Sequence, residues 1–266
     1  MSPRIPENKI RSLLAAGRPT VATRIWSPWP TTLEAMAGTG NFDYVEYVAE
    51  YSPFTQLDLE NLVRAAELHG IGSMIKVDLQ NRHYVAQKAV AMGFQAVLYC
   101  DHKTAEEVQE SVFNLSPDSK GEGRFGYPNA RWIRYTPYIP QQDYAGMVRN
   151  TVKAFMIEKQ EAVDNFKEIC SVPGVDMVQF GPSDFSLSNG WNVGEHQQEI
   201  REIEEYVIRI ALEHGVAPRC ECDTMDKVEY YKNLGVKHFC IGDEFRILNA
   251  YWKGTCGEVR KLAETL

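Results

Sequence analysis

The chain has 266 residues, of which 44% are hydrophobic and 24% are charged, and its formal net charge is −8. This length suits one large domain or two small ones, and a single α/β barrel typically takes about 250 residues. The acidic balance disfavours nucleic acid as a partner, because phosphate binding needs clustered Lys and Arg. No stretch of about 18 uncharged apolar residues predicts a membrane span. We therefore predict one domain, residues 1–266, that binds neither nucleic acid nor membrane.

Localisation and redox state are predicted from the amino terminus and the cysteines. Residues 1–6 lack the apolar core of a signal peptide. The six cysteines show no paired CxxC spacing. Cys220 and Cys222 share one face of a predicted strand, but no nearby His or third Cys completes a soft-metal site. We expect a cytoplasmic protein without disulfides.

In chain order, apolar runs that predict strands alternate with segments of helical period. The predicted strands lie at residues 20–26, 44–49, 73–77, 96–100, 153–157, 176–180, 217–222 and 238–241. The predicted helices lie at residues 56–68, 84–92, 104–113, 162–170, 199–213 and 225–234. Several of these helices are followed by Gly, as is typical of a helix that turns back into a strand. Eight such units predict a (β/α)₈ barrel, with a doubly wound sheet of fewer strands as the alternative.

One long segment, residues 116–150, interrupts this alternation and has no clear period. A loop of this length inside a compact domain is usually functional or disordered, and its aromatic and Arg content argues against disorder. Because the segment follows the fourth strand, we expect it to lie over the barrel mouth. There Arg124, Arg131 or Arg134 would meet an anionic substrate, with surface ion pairing as the alternative for each.

Two carboxylates follow neighbouring predicted strands. Glu158 directly follows the fifth strand, and Asp184 follows the sixth within the turn Gly181-Pro182-Ser183-Asp184. Alone, each is more commonly a helix N-cap or a solvated loop residue. Consecutive strand ends, however, lie side by side on the ligand-binding face of a parallel α/β sheet. Hard cations such as Mg²⁺ or Mn²⁺ take oxygen ligands, usually one or two carboxylates plus water and substrate. The pair therefore predicts a shared divalent-metal site.

These residues also carry a resemblance to a known family. The chain resembles the HpcH/HpaI family of metal-dependent 2-oxo-acid aldolases over most of its length, from residues 13–19 to residues 242–243. The most specific matches are at residues 157–158, 162–165, 174–176 and 181–186. The resemblance implies a barrel of the phosphoenolpyruvate/pyruvate type in which Glu158 and Asp184 hold the metal. In the family this metal also binds the carboxylate and 2-oxo oxygens of pyruvate and stabilises an enolate.

The resemblance also implies an assembly. Members of the family are usually homo-oligomers, and we expect a hexamer or a dimer-based form here. The C-terminal helix, residues 251–266, is then expected to be exchanged between subunits.

The chain departs from the family at the residues that transfer protons. The family's second strand ends in Asp-Gly-Glu-His, whereas residues 48–51 here read Val-Ala-Glu-Tyr, so that only Glu50 is kept and Tyr51 replaces the His. The family's Arg after the third strand aligns with Lys76, and the Asp that supports the His falls near Ala91. We predict catalytic roles for Tyr51, Lys76 and Glu50.

The roles of these residues have alternatives. Lys76 is expected near the 2-oxo oxygen, and a Schiff base on Lys76 is disfavoured because the metal carboxylates are kept. Tyr51 would assist proton transfer, with its pKa lowered by a metal or by Lys76. Alternatively, Tyr51 would donate a hydrogen bond. Both side chains could instead merely line the pocket. Glu46 shares a strand face with Glu50, and its expected partner is Lys76, which would weaken the catalytic role of Lys76.

Other residues complete the predicted pocket. His83, Glu221 and Glu244 are alternative bases that follow strands. The predicted substrate-binding residues are Trp26, Arg124, Gly181, Pro182 and Ser183.

The leading function hypothesis is a metal-dependent carbon–carbon lyase, an aldolase, that acts on a 2-oxo acid or hydroxy-oxo acid through a metal-bound enolate. The cofactor would be Mg²⁺ or Mn²⁺, with Co²⁺ as a further candidate. Two alternatives stay open. One is decarboxylation or cleavage of a carbon–heteroatom bond on a related 2-oxo or 2-hydroxy acid. The other is a non-catalytic barrel that binds a small molecule.

Overall fold

The computed structural model describes residues 7–127, 131–136 and 139–266. Eight parallel strands close into a barrel in the order in which they occur along the chain. They are β1 (Thr20–Ile25), β2 (Tyr44–Val48), β3 (Gly72–Val77), β4 (Ala96–Tyr99), β5 (Val152–Ile157), β6 (Met177–Phe180), β7 (Ala217–Cys222) and β8 (His238–Asp243). The eight predicted strands and the (β/α)₈ barrel are confirmed. The predicted features of residues 1–6 lie outside the described residues.

Helices surround the barrel. They are α1 (Lys9–Ala15), α2 (Pro30–Ala37), α3 (Gln56–Leu68), α4 (Tyr84–Met92), α5 (Ala105–Asn114), α6 (Gln141–Arg149), α7 (Gln160–Asp164), α8 (Phe166–Cys170), α9 (Pro182–Ser188), α10 (Gln197–Glu213), α11 (Met225–Asn233), α12 (Glu244–Tyr251) and α13 (Gly257–Ala263). A π-helical turn, Trp252–Cys256, joins the last two. The six predicted helices are present, although the one predicted over residues 162–170 is two short helices, α7 and α8, that meet at Asn165.

The core has two layers because alternate strand residues face opposite sides of the sheet. The larger layer packs the outer face of the strands against the helices. The smaller layer fills the barrel and consists of Ile10, Ala22, Tyr44, Met74, Ala96, Leu98, Cys100, Val152, Ala154, Met156 and Met177. Ile10 comes from α1, which thereby closes the amino-terminal end of the barrel. The carboxyl-terminal end is left for the loops that carry the candidate site.

The long segment after β4 does not cover the barrel mouth, and that prediction was wrong. α5 intervenes and carries the chain back toward the opposite end of the barrel. The backbone N–H of Arg124 donates to the carbonyl of Phe113 near the end of α5, and its guanidinium lies 5.1 Å from the Phe113 ring centroid. Arg131 pairs with Glu67 in the last turn of α3 at 3.0 Å. These contacts keep Arg124 and Arg131 away from the predicted substrate.

The C-terminal segment extends beyond the barrel wall. No residue of α12, the π-helical turn or α13 is buried. The exposed apolar side chains of this segment are Phe245, Ile247, Leu248, Tyr251, Trp252, Val259, Leu262 and Leu266. Among the helices of the described residues, none is long and apolar enough to cross a membrane.

Candidate active site

Glu158 is a buried carboxyl group with a strongly raised pKa at the carboxyl end of the barrel. It directly follows β5 and is 1% exposed. Its Oε1 accepts a hydrogen bond from the backbone N–H of Asp101 at 2.9 Å, whereas its buried Oε2 has no hydrogen-bond partner within the described residues. Burial raises the pKa of Glu158 to about 7, although Lys76 and the Asp101 N–H oppose the rise. Glu158 therefore offers one buried oxygen to a ligand.

The Asp101 N–H is aimed at Glu158 by a strained loop that a buried histidine anchors. Asp101 adopts a left-handed conformation with φ 62°. Next to it, His102 Nδ1 lies 3.1 Å from the Cys100 carbonyl and Nε2 lies 2.7 Å from Ser111 Oγ. Burial lowers the pKa of His102 to about 3, so the ring is neutral. Because a carbonyl only accepts, Nδ1 carries the proton and Ser111 donates to Nε2.

A glycine brings the second predicted metal ligand close to the first. Gly181 lies between β6 and α9, and a Cβ built on it would lie 3.0 Å from Glu158 Oε2 and 2.9 Å from Met156 Cε. The absence of a side chain lets the turn approach Glu158, and Asp184 follows in the first turn of α9. The Asp184 charge adds to the rise in the Glu158 pKa, as expected of neighbouring carboxylates. Pro182 and Ser183 are exposed in this turn.

The donor set fits a hard divalent cation. Both candidate ligands supply carboxylate oxygens, and a cation would partner the buried Oε2 of Glu158, which accepts no hydrogen bond from the described residues. In the part of the chain that the structure describes, no group of three or more His, Cys, Asp or Glu side chains is arranged to hold a metal. A cation here would therefore take its other ligands from water and substrate, as Mg²⁺ usually does.

Lys76, on β3, is fixed by Glu50 rather than by Glu46. The distance from Lys76 Nζ to Glu50 Oε2 is 2.6 Å, and both side chains are almost buried. Burial alone would lower the pKa of Lys76, but Cys100, Glu50 and Glu158 outweigh it and hold the pKa above its ordinary value. Lys76 is thus an ammonium, which opposes a Schiff-base role. The expected Lys76–Glu46 pair was wrong, because Glu46 pairs with Arg219 of β7.

Tyr51 and Trp26 form an aromatic pair beside Lys76. Their ring centroids are 6.0 Å apart with an interplanar angle of 17°, and Lys76 Nζ lies 5.6 Å from the Tyr51 centroid. Desolvation, followed by the charges of Glu50 and Asp184, raises the pKa of the Tyr51 hydroxyl above its ordinary value, although Lys76 opposes this. Lys76 therefore does not convert Tyr51 to a phenolate. The hydroxyl is suited to donate a hydrogen bond or a proton.

The other candidate bases have different surroundings. His83 is exposed and precedes α4 as its N-cap residue, with no side-chain cap bond. Glu244 Oε1 accepts from the backbone N–H groups of Trp26 and Ser27 at 2.6 and 2.7 Å. Glu221 Oε1 accepts from Arg24 Nη1 at 2.5 Å. Of the predicted pocket residues, the structure thus gathers Trp26 with the Tyr51–Lys76–Glu50 group and leaves out Arg124.

Sequence reasoning missed three interior polar residues, Arg24, Gln179 and Arg219. They lie on β1, β6 and β7, and Arg219 is the largest fully buried side chain. A signal was present, because each is a long polar side chain within a predicted strand of a buried sheet. Period-two alternation would have assigned each one to a face of the sheet.

The sequence pattern of the family described as "HpcH/HpaI aldolase/citrate lyase" matches residues 56–235. The chain belongs to this family. It is 25% identical over 245 residues to the 4-hydroxy-2-oxo-heptane-1,7-dioate aldolase of Escherichia coli, and the aligned region covers 91% of each chain. It is also 29% identical over 185 residues to the hydroxypyruvate/pyruvate aldolase of Rhizorhabdus wittichii, covering 69% of this chain and 70% of that one.

A solved structure shows the same fold. The HpcH/HpaI aldolase of Desulfitobacterium hafniense superposes on this chain with a TM-score of 0.84 at 23% sequence identity, and the aligned region covers 96% of each chain. The HpcH/HpaI family consists of divalent-metal-dependent lyases, and the aldolase relatives show that this member is an enzyme of the aldolase type.

Proposed function

We propose that the chain catalyses reversible aldol addition of a pyruvate-like 2-oxo acid to an aldehyde, with a divalent cation on Glu158 and Asp184. The observation that carries this proposal is Glu158 Oε2, which is buried beside Asp184 and has no hydrogen-bond partner among the described residues. The Lys76 ammonium is close enough to affect the Glu158 pKa. When bound, the cation supplies Lewis acidity that stabilises negative charge on the 2-oxo oxygen.

The chain's own residues would divide the remaining work. Lys76, held in place by Glu50, provides a fixed positive charge for the 2-oxo oxygen, and such preorganised charge is usually the largest single term in catalysis. Glu50 acts here as a positioning residue. Tyr51 keeps its proton at neutral pH and can give it to the oxygen of the aldehyde. Trp26 would pack against the substrate from the side of Tyr51.

The proposed reaction balances without an external oxidant or reductant. The methyl carbon of the 2-oxo acid gives up a proton to water, and the electron pair left behind forms a bond to the carbonyl carbon of the aldehyde. The aldehyde oxygen takes up one proton, and the product is a 4-hydroxy-2-oxo acid. Cleavage is the reverse of these steps.

The experiment is an aldol assay read by proton NMR. Purified protein is incubated with pyruvate, an aldehyde and Mg²⁺, Mn²⁺ or Co²⁺, with EDTA as a negative control. Glu158→Gln and Asp184→Asn should each lower the rate at least about 1000-fold, because each removes a charged cation ligand. The exposed Glu161→Gln, on α7, is the matched control and should keep full activity. Undiminished aldol formation by Glu158→Gln, or loss of carbon dioxide in place of aldol formation, would contradict the proposal.

The exposed apolar face of the C-terminal segment supports a homo-oligomer as part of this proposal. An exposed apolar surface of this kind usually marks an interface. Size-exclusion chromatography with light scattering should show a dimer or a multiple of it for the full chain. Deletion of residues 245–266 should yield monomers or aggregates, and a monomeric full chain would contradict the proposed assembly.

A reducing, cytoplasmic location is also proposed. All six cysteines are free thiols in the structure, and five of them are buried. Free thiols are kept in reducing compartments.

A further inference from the structure

A chain of polar side chains crosses the barrel interior away from the metal carboxylates. Arg219 is fully buried, and its Nε donates to the Tyr44 hydroxyl at 2.8 Å. Its two other nitrogens donate to Gln179 Oε1 and to Glu46 Oε2. Burying such groups costs free energy even when they are paired, and apolar residues fill other parts of the same interior. This arrangement therefore needs a reason beyond packing.

The polar chain ends on a carboxylate that it holds in one orientation. Because a guanidinium can only donate, Gln179 presents its oxygen to Arg219 and must donate through Nε2. That Nε2 donates to Glu221 Oε1 at 2.8 Å, and Arg24 Nη1 donates to the same oxygen at 2.5 Å. Within the described residues Glu221 Oε2 has no hydrogen-bond partner, and the side chain is 37% exposed. Glu221 thus presents one fixed acceptor oxygen to solvent at the carboxyl end of β7.

The cations in this part of the mouth are already paired with carboxylates. Arg24 is shared between Glu221 and Asp243, whose Oδ2 lies 3.6 Å from Arg24 Nη2. Arg219 is neutralised by Glu46. Asp243 Oδ2 also lies 3.4 Å from Arg246 Nε, so that three guanidiniums are matched by three carboxylates. A second carboxylate brought by a substrate would therefore find no uncompensated cation among these residues and would be repelled by the Glu221 carboxylate.

The location suits the aldehyde half of the reaction. Glu158 directly follows β5, which pairs with β6, and β6 pairs with β7, which carries Glu221. Two strand spacings of about 4.8 Å separate β5 from β7 by roughly 10 Å. A short aldehyde bound next to the 2-oxo acid would fill this gap.

We propose that Glu221, positioned by Gln179 and Arg24, selects a neutral hydroxylated aldehyde as the acceptor and rejects an aldehyde that carries a carboxylate. The hydroxyl group of the acceptor donates to Glu221 Oε2, and like charge excludes the acidic acceptor. This inference rests on the proposed aldol reaction. It also separates the chain from its Escherichia coli relative, whose named compound, a heptane-1,7-dioate, has a carboxylate at each end.

The experiment compares two acceptors in one assay. With saturating pyruvate and Mn²⁺ or Mg²⁺, kcat/KM is measured for glycolaldehyde and for succinic semialdehyde. The wild-type protein should favour glycolaldehyde at least about tenfold, and Glu221→Gln should shift the ratio toward succinic semialdehyde at least about tenfold, mainly through KM of the aldehyde. Glu221→Asp keeps the charge and should keep the discrimination. Glu202→Gln, on the exposed surface of α10, is the control and should leave the ratio unchanged.

The outcomes separate the two proposals. Exchange of the pyruvate methyl protons with heavy water is followed in the same samples. Two results would overturn only the acceptor inference, provided that the wild-type protein exchanges the methyl protons. One is the same acceptor ratio in Glu221→Gln as in the wild-type protein, and the other is a wild-type preference for succinic semialdehyde. No exchange and no aldol product with any cation would overturn the proposed function and the inference together. Glu221→Asp decides the question if Glu221→Gln does not fold.

Discussion

The two sides of the barrel interior are built from different chemistry. Beneath Glu158, on β3, β4 and β5, the interior is apolar and includes Met74, Leu98 and Met156. On β2, β6 and β7 it is a hydrogen-bonded polar chain centred on Arg219. The apolar side keeps water from one carboxylate and raises its pKa, whereas the polar side gives each charge a partner. One barrel therefore contains both Glu158, whose raised pKa marks a carboxyl group suited to bind a cation, and Glu221, a carboxylate held in one orientation and suited to recognise a ligand.

Arg219→Met should cause the largest change in stability, because it leaves Glu46 buried without its partner. Removing one member of a buried ion pair typically costs about 3–5 kcal/mol of the free energy of unfolding. On the apolar side, Met74→Leu conserves volume and should cost less than about 1.5 kcal/mol. Denaturant titrations followed by circular dichroism measure both. Equal losses in the two variants would mean that the two sides of the interior do not differ in this way.

Lys76→Met should lower kcat for the aldol reaction by about 100- to 1000-fold, since a fixed charge near the 2-oxo oxygen would be lost. Lys76→Arg keeps the charge and should recover part of the rate. Steady-state kinetics on the folded variants test this. A loss below about threefold in Lys76→Met would show that Lys76 only lines the pocket.

The neutral, buried His102 should make the protein sensitive to acid. Its pKa is about 3 in the folded state, mainly because of burial, against 6.5 for the free side chain. Only the unfolded state therefore takes up a proton as the pH falls below 6.5. This lowers the free energy of unfolding by up to about 1.4 kcal/mol per pH unit. His102→Gln removes this term, so its stability difference from wild type should shrink between pH 7 and pH 4. Parallel stability curves, measured with EDTA present, would contradict this.

The smallest predicted effect concerns the backbone of Asp101, whose N–H donates to Glu158. Asp101→Gly keeps the left-handed conformation accessible and should preserve cation affinity. Asp101→Val should cost about 1–2 kcal/mol, because a Cβ-branched residue is strained at φ 62°. Both variants lose the ion pair with Lys159, which makes them a matched pair. Calorimetric titration with Mn²⁺ and denaturant titration distinguish them, and equal behaviour would show that the conformation of this residue does not matter.

The barrel could be predicted from the sequence because its signals are local. Apolar runs and helical periods extend over a few residues, and α3 and α4 have the predicted bounds. Glu158 and Asp184 could be paired because each follows a strand and the two strands are neighbours. The partners of interior charges could not be predicted, because they join distant parts of the chain. Glu46 and Arg219, for example, are 173 positions apart.

The misplaced loop has a similar cause. A segment that follows β4 in the sequence reaches the barrel mouth only if no helix lies between them. α5 occupies that place and moves Arg124 to the other end of the barrel. The length and composition of a loop indicate that it is ordered, but they do not indicate on which side of the barrel it packs.

The most direct test of the central claim is proton NMR of pyruvate in heavy water with the purified protein and Mg²⁺ or Mn²⁺. We expect cation-dependent loss of the methyl signal in the wild-type protein. EDTA and the Glu158→Gln variant should both abolish this loss. Exchange that persists in Glu158→Gln, or no exchange in a wild-type protein that binds the cation, would contradict the account.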